Sequence, residues 1–430
     1  MALAGLLIFC HCSSPRSHDV NQSNNEPTAI TGANPASQAG APRLQAQAGG
    51  GTLNGASMTL DTRYKIGGAG VVELRRATPH GDVPEFTYAA ILPGRGMNTF
   101  QLQAYLPGRG LVEVLHSIPL ESAEQLFAAD DPHGNLSFKY GGAILVPFAN
   151  RIRGKLQPDG AQIVTTLAGR AQKMIANWKG AKPGAEKHAM HGLILNQPVE
   201  IANSTADRGN SVVNGTLDAG DFSGHWPSKM RVHFHISLEK NAFILEVETK
   251  NTGDQPAPVG IGWHPYFAIP SGQRAQALLV IPARERALVT NYDDVFPTGK
   301  IEKVHGTKYD FSNLQGTALG DLFLDDCFFE LNRDQNLPRV AEIIDPAANY
   351  GLRIHSLSPQ IKAFQVYAPV DQSFIAFEPQ FNLGDPYSAV WNASHGAGNK
   401  GDHVDTGMVT LRPGESVVYK VRLGLFTPGK

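Results

Sequence analysis

The sequence predicts an all-β protein built as one large antiparallel β-sandwich with few short helices. Three observations carry this expectation. Glycine (45) and proline (29) cut the 430-residue chain into short apolar runs, the pattern of strands and turns. Met230, Val232, Phe234, Ile236 and Leu238 alternate strictly with Arg231, His233, His235 and Ser237, the period of a half-buried strand. Helical patterns do not alternate with strands, which disfavours a doubly wound parallel sheet. The formal net charge is -2, so a polyanionic partner has no electrostatic footing and nucleic-acid binding is not expected.

Residues 1–9 are an apolar stretch as long as a signal-peptide core and too short to span a bilayer. Residues 1–12 read as an export signal or lipoprotein leader, with Cys10 or Cys12 as lipidation points and Phe9 a poor fit to such a cleavage site. Export is therefore expected, to the periplasm, the exterior or a lipid anchor, with any membrane tether through the N-terminus; a leader that is not a functional signal would leave the chain in the cytoplasm. Residues 13–56 are Ser, Asn, Gln, Ala, Gly and Pro with almost no large apolar side chain, and read as a disordered linker. The folded domain is expected over 57–430. Without the leader only Cys327 remains, so this is not a disulfide scaffold.

Within the domain, Val71-Val72-Glu73-Leu74 opens as a strand. Pro93-Gly94-Arg95-Gly96 and Pro107-Gly108-Arg109-Gly110 are turns. A buried strand over 141–146 runs into Pro147-Phe148-Ala149-Asn150-Arg151. Residues 168–178 read as a short helix. The alternating strand at 230–238 turns at Glu239-Lys240-Asn241 and returns through Phe243, Leu245 and Val247, leaving His233 and His235 on its polar face. Val409-Thr410-Leu411, the turn Arg412-Pro413-Gly414-Glu415 and Val417–Val421 read as a closing hairpin.

Five stretches carry residue types suited to chemistry. Trp263-His264-Pro265-Tyr266-Phe267 places an imidazole, which exchanges protons near neutrality, among rings able to stack on a flat ligand face. Asn150 and Arg151 at a strand end offer several donors for hydroxyls or a carboxylate. His188-Ala189-Met190-His191 invites a zinc reading, but no third ligand stands at a suitable spacing, so His191 is expected to hydrogen-bond and no metal is assigned. Asp325 and Asp326 point to opposite faces of a strand, so at most one reaches a given pocket. Glu378 ends the apolar run Phe374-Ile375-Ala376-Phe377, where desolvation raises a carboxyl pKa and makes it a better base near neutrality.

In this order the stretches resemble the aldose 1-epimerase (mutarotase) family and its galactose mutarotase-like superfamily. The matching residues are Pro147 with Asn150-Arg151-Ile152, Met190-His191-Gly192, His264-Pro265-Tyr266-Phe267, Leu324-Asp325 with Phe328, Glu378-Pro379, and the closing Leu411-Arg412-Pro413-Gly414-Glu415. The resemblance covers about residues 57 to 430. It implies a supersandwich of antiparallel sheets, a monosaccharide substrate and no cofactor. It also implies His264 as catalytic acid, Glu378 as base, His191 as a second site histidine, and Asn150, Arg151 and Asp325 as ligands of the sugar hydroxyls. The chain departs from the family at Trp263, where an asparagine is common; an indole there is expected to narrow the cleft or stack on the sugar. It departs again at Leu193–Val199, where an arginine and an aromatic are common, and at Asp326.

Three functions stay open on the sequence: a mutarotase of free aldoses, a hexose-6-phosphate 1-epimerase using Arg151, Arg153 and Lys155 as a phosphate pocket, and a non-catalytic carbohydrate-binding protein on the same fold. The preferred sugar and the oligomeric state are not legible.

Overall fold

The alternation at 230–238 is realised as the strand Met230–Leu238, paired antiparallel with Phe243–Asn251 from Met230↔Asn251 to Leu238↔Phe243. Its apolar side chains are buried, while His233 is exposed and His235 half-buried on the opposite face. The computed structural model describes residues 56–77, 81–207, 209–331, 339–393 and 404–429. The expected leader (1–12), with Cys10 and Cys12, and the linker up to residue 55 lie outside the described residues.

This hairpin belongs to a nine-stranded sheet, in which Ser416–Phe426 lies between Phe243–Asn251 and Tyr350–Ser356. A second, twelve-stranded sheet starts at Ser57–Ile66. Its centre runs in the order Gly142–Leu145, Gly262–Ala268, Phe374–Gln380, Ala363–Ala368 and Leu324–Leu331. The two sheets share one core: Trp263 stacks on Phe243 with centroids 6.0 Å apart, and Phe381 contacts Tyr419 at 5.6 Å. The Tyr419 hydroxyl also donates to the Pro379 carbonyl at 2.7 Å, so the ring is buried without leaving its polar end unpaired. Burying each such side chain stabilises the sandwich by about 1.5–3 kcal/mol.

Successive side chains on a strand point to opposite faces. In Gly262–Ala268, Trp263 and Phe267 therefore enter the core between the sheets, and His264 and Tyr266 point the other way. In Phe374–Gln380, Ile375 and Phe377 face the core, so Glu378 shares a face with His264. The same alternation turns Gln365 and Asp325 onto that outer face, beside Phe364, Val366, Leu324 and Phe328 in the core. The central strands thus deliver a polar row to one face of the twelve-stranded sheet.

Two expectations are corrected. Residues 168–178 do not form a helix: Gln162–Leu167 and Arg170–Ile175 make a β-hairpin. Ala168 and Gly169 both have positive φ (48° and 82°), the two-residue turn that matches the twist of paired strands and breaks a helix. Among the described residues the one α-helix is instead Leu120–Phe127, whose buried Leu120, Ala123 and Phe127 lie on one face by helical spacing. The closing segment is not a hairpin either. Val409–Leu411 pairs with Ala257–Val259, whereas Ser416–Phe426 joins the nine-stranded sheet. Asn251 captures the intervening turn: its carbonyl accepts from Gly414 N at 2.8 Å, its N–H donates to Glu415 O at 2.9 Å, and its Nδ2 donates to Leu411 O. The turn is as expected, but the strands on its two sides are pulled into different sheets.

Candidate active site

The site grows from the central strand pair. Gly262 pairs with Gln380 and Tyr266 with Ala376, which places His264 directly opposite Glu378. The His264 Nε2 lies 3.3 Å from Glu378 Oε1, with both side chains buried. On the next strand Gln365 is the register partner of Glu378, and beyond it Asp325 is the partner of Tyr367. Gln365 Nε2 donates to Asp325 Oδ1 at 2.6 Å, and its Oε1 accepts from Asn150 Nδ2 at 3.0 Å.

Asn150, Arg151 and His191 come from outside the sheet. After the Gly142–Leu145 strand the chain turns through Asn150 in the left-handed region (φ 61°) and forms the two-residue strand Arg151–Ile152, paired with Ala189–Met190. His191, also at positive φ (59°), then donates its N–H to Asn150 O at 2.9 Å. Gly192 follows at φ 80°, and a Cβ there would lie 2.4 Å from Val146 O, so only glycine lets the two segments close up. Non-glycine residues in the left-handed region are uncommon and cost free energy; two of them here hold site side chains.

The turn is braced by residues that follow Glu378. Asn382 brackets the Ala149 peptide, accepting from its N–H at 3.1 Å and donating to its carbonyl at 2.8 Å. The Asp385 N–H donates to Arg151 O at 2.7 Å, and its carboxylate accepts from Arg153 N at 2.9 Å and Arg153 Nε at 2.8 Å. Arg151 Nη1 donates to Asn150 Oδ1 at 3.2 Å and its Nη2 faces Asp325 Oδ2 at 3.8 Å. The imidazoles of His191 and His264 meet at right angles, centroids 5.0 Å apart, and Phe138 packs on His191 at 4.8 Å.

Burial dominates the electrostatics. Desolvation drives Glu378 well above the usual carboxyl range, helped by the Asp325 charge and opposed by Arg151. Desolvation pushes Asp325 up to about 6, against the pull of Arg151 and the Gln365 hydrogen bond. It pushes His264 down to about 3, with Arg151 acting in the same direction, and holds His191 well below the usual imidazole value. The 3.3 Å contact favours imidazolium with carboxylate, while burial favours neutral imidazole with carboxylic acid. Burial is the larger effect for two groups this enclosed, so the one proton of the pair rests on Glu378. Glu378 Oε2, His264 Nδ1, His191 Nδ1 and Arg151 Nε are buried without a protein hydrogen-bond partner, which leaves them free to bond a ligand.

Six of the seven residues singled out in the sequence converge: His264, Glu378, Asn150, Arg151, His191 and Asp325. Trp263 does not. It is fully buried, its Nε1 donates to Gly142 O at 3.0 Å, and its ring packs on Phe243 and Phe267. Being next in sequence to His264 places it on the opposite face, so it fills the core and is turned away from the site. Asp326 likewise turns away from Asp325, into hydrogen bonds with Arg286 and Tyr292. His188 Nδ1 lies 2.9 Å from Glu186 O and its ring edge meets Phe296. Among the described residues no three His, Cys, Asp or Glu side chains gather into a metal site.

Sequence reasoning missed Gln365, Asn382 and Asp385. Gln365 carried a signal: it is the polar residue between Phe364 and Val366 in a buried strand. Asn382 and Asp385 carried none, because their role lies in backbone contacts more than two hundred residues away in the chain.

A buried, proton-sharing imidazole and carboxyl beside an Asp–Gln–Asn–Arg network is equipped to move protons on a polyhydroxylated ligand. The aldose 1-epimerase family profile matches residues 114–424. Among solved structures, the chain is similar to a galactose mutarotase-like protein from Clostridium acetobutylicum, at a TM-score of 0.66 and 18% identity, covering 87% of this chain and 99% of that one. An aldose epimerase homologue from C. elegans gives 0.59 and 16%, covering 86% and 99%. Galactose 1-epimerase from Lactobacillus acidophilus NCFM gives 0.57 and 16%, covering 86% and 98%. No curated protein sequence matches. At these identities the likeness is one of fold, and that fold is the all-β galactose mutarotase-like sandwich.

Proposed function

The chain belongs to the aldose 1-epimerase family, and from that premise we propose that it is a mutarotase of free aldoses, interconverting their α and β anomers. The observation that carries the proposal is the buried His264–Glu378 pair, whose Nε2 and Oε1 lie 3.3 Å apart. Ring opening of a hemiacetal needs a proton taken from O1 and a proton given to the ring oxygen. When the sugar binds, the pair's proton passes from Glu378 to His264 across the 3.3 Å contact; Glu378 as carboxylate then takes the first and His264 as imidazolium gives the second. The pair then stands as carboxylic acid and neutral imidazole, the form that burial favours. The aldehyde rotates about C1–C2, and closure from the other face runs the same transfers backwards. The pair ends with the single proton it began with, so no outside acid or base is consumed. Acid–base groups of this kind contribute roughly 10²–10⁴-fold. Asp325, Asn150, Arg151 and His191 are assigned to hold the sugar hydroxyls.

Two features weigh against the other readings. The cations of a phosphate pocket are offset by carboxylates: Arg151 faces Asp325 and Arg153 is held by Asp385, while Lys155 is exposed on a separate short strand. A protein that only binds sugar needs donors and acceptors, but no coupled acid and base. Polarimetry of freshly dissolved α-glucose and α-galactose tests the proposal. Wild type accelerates mutarotation and Glu378→Gln does not, while the variant keeps its sugar affinity. Binding without acceleration by wild type overturns it, and acceleration confined to 6-phosphates moves the reading to the phosphosugar epimerase.

A further inference from the structure

The mechanism leaves one buried titratable side chain beside the site unused. His188 is fully buried, and its Nδ1 lies 2.9 Å from the Glu186 carbonyl. A carbonyl only accepts, so Nδ1 carries the proton and Nε2 of the neutral ring is an acceptor. Burial, with the charge of Arg151 and then that of Arg153, pushes the imidazole down to about 3, which keeps the ring neutral near pH 7. Nε2 is buried with no donor from the protein. An acceptor enclosed in this way is costly unless something donates to it.

The backbone around His188 holds the ring in one place. His188 exchanges two hydrogen bonds with Trp178, at 2.8 and 3.1 Å. The Asn177 side chain brackets the Met190 peptide, accepting from its N–H at 2.8 Å and donating to its carbonyl at 3.0 Å. The His188 ring packs against Phe296 with centroids 4.8 Å apart, and the Arg153 guanidinium lies over the same Phe296 ring at 4.6 Å.

Met190 is the register partner of Arg151. His188 stands two residues before Met190 and so on the same face, as the diagonal neighbour of Arg151, roughly 7–8 Å away and within reach of a long side chain. Arg151 uses Nη1 on Asn150 and turns Nη2 towards Asp325, while its Nε–H is buried with no protein acceptor. An acceptor without a donor and a donor without an acceptor thus stand on neighbouring side chains. Arg153 is the poorer donor for His188, because its Nε is held by Asp385 and its charge acts on His188 less than that of Arg151.

We propose that His188 is a positioning residue for Arg151, its Nε2 accepting the Arg151 Nε–H when the aldose is bound and so fixing the plane of the guanidinium. The inference rests on the assignment of Arg151 to the sugar hydroxyls and adds to it a residue that touches no reacting atom. Hydrogen bonds of a site are often loose in the free protein and tighten in the complex. A guanidinium fixed at Nε as well as at its Nη atoms keeps one orientation, and that pre-organisation strengthens binding of the sugar without altering the proton transfers.

The test compares wild type, His188→Asn and His188→Gln in polarimetry of α-galactose and in calorimetric titration with galactose. The asparagine amide overlays the Nδ1 edge and keeps the bond to Glu186 O, but it puts no acceptor at the Nε2 position. The glutamine amide reaches the Nε2 position and gives up the bond to Glu186 O. His188→Asn is expected to raise KM and the galactose Kd about ten-fold with kcat within about three-fold, while His188→Gln stays within about three-fold of wild type in all three. In an Arg151→Lys background, which has no Nε–H, His188→Asn should change KM by less than about two-fold. A larger loss in His188→Gln than in His188→Asn overturns the proposal, since the tie to Glu186 O would then be the whole role. So does a fall in kcat with KM unchanged, or an effect of His188→Asn that persists undiminished beside Arg151→Lys. If wild type binds galactose without accelerating its mutarotation, the mutarotase reading falls and the role of His188 is decided by the same comparison of Kd values. Neither binding nor acceleration of galactose or glucose by wild type overturns both.

Discussion

Glu378 stands directly opposite His264 on the neighbouring strand, and its Oε1 lies 3.3 Å from the imidazole Nε2. The residues are more than a hundred positions apart in the chain, yet sheet register alone sets their separation. Neither group is held by a loop, so their geometry is as stiff as the sheet centre. Replacing His264 with Gln is expected to keep the fold and lower kcat for mutarotation by about 10²–10⁴-fold, since one of the two proton transfers then falls to water. Polarimetry on α-glucose measures it; a loss under three-fold removes His264 from the chemistry.

The pH dependence of KM should report Asp325 and not His264. The carboxyl of Asp325 is raised to about 6 by burial, so it is charged above that pH and neutral below it. As pH falls from 7 to 5 it loses the charge that faces Arg151 and accepts sugar hydroxyls, and KM rises. His264, held down to about 3, is neutral across this range. In Asp325→Asn, KM should be higher and flat between pH 5 and 7. An inflection near 6.5 that survives in this variant would place the titration on an imidazole.

Trp263→Ala is a stability variant. It empties a fully buried indole site between the sheets and leaves the Gly142 carbonyl without its donor, costing about 3–5 kcal/mol. KM of the folded protein should stay within two-fold of wild type. Urea unfolding and steady-state kinetics separate the effects, and a large KM change with little loss of stability would return Trp263 to the cleft.

Asp385→Ala tests whether the turn that follows Glu378 holds Arg151 in place. Its carboxylate bonds the backbone and side chain of Arg153, and its N–H bonds the Arg151 carbonyl. Removing the carboxylate is expected to raise KM about ten-fold with a smaller change in kcat, because the proton-sharing pair sits on different strands. Asp385→Asn, which can still accept from Arg153 N, should recover part of the loss. Equal losses of kcat in both variants with KM unchanged would show that the turn does not place the sugar ligands.

Cys327→Ser should leave activity within three-fold. The thiol is buried beside Gln380, at 4.0 Å, and burial pushes it up to about 12, so it is neither a nucleophile nor an acid at working pH. Steady-state kinetics of the purified variant check this.

Much of the fold was legible because alternation is a local code. Met230–Leu238 and its return strand follow from period two alone. The errors have a common cause. Residues 168–178 carry a turn whose positive φ values at Ala168 and Gly169 outweigh helix-compatible neighbours, and Leu411 and Ser416 flank a correct turn whose partners lie elsewhere. Trp263 was misread because a residue next to a site was taken to belong to it, although adjacency on a strand places it on the other face.

By itself, the sequence determined which side chains are available and that neighbours on one strand, such as Asp325 and Asp326, face opposite ways. Sheet order and register decided the rest. They placed Glu378 against His264, brought Gln365 between Asn150 and Asp325, and used Asn382 and Asp385 to hold a turn more than two hundred residues earlier. Side-chain alternation depends on each residue's own backbone, whereas strand pairing is a choice among distant segments, settled when burial of the whole core is satisfied at once. The pKa shifts belong to the second class as well, since desolvation is a property of the closed sandwich and not of any one stretch of chain.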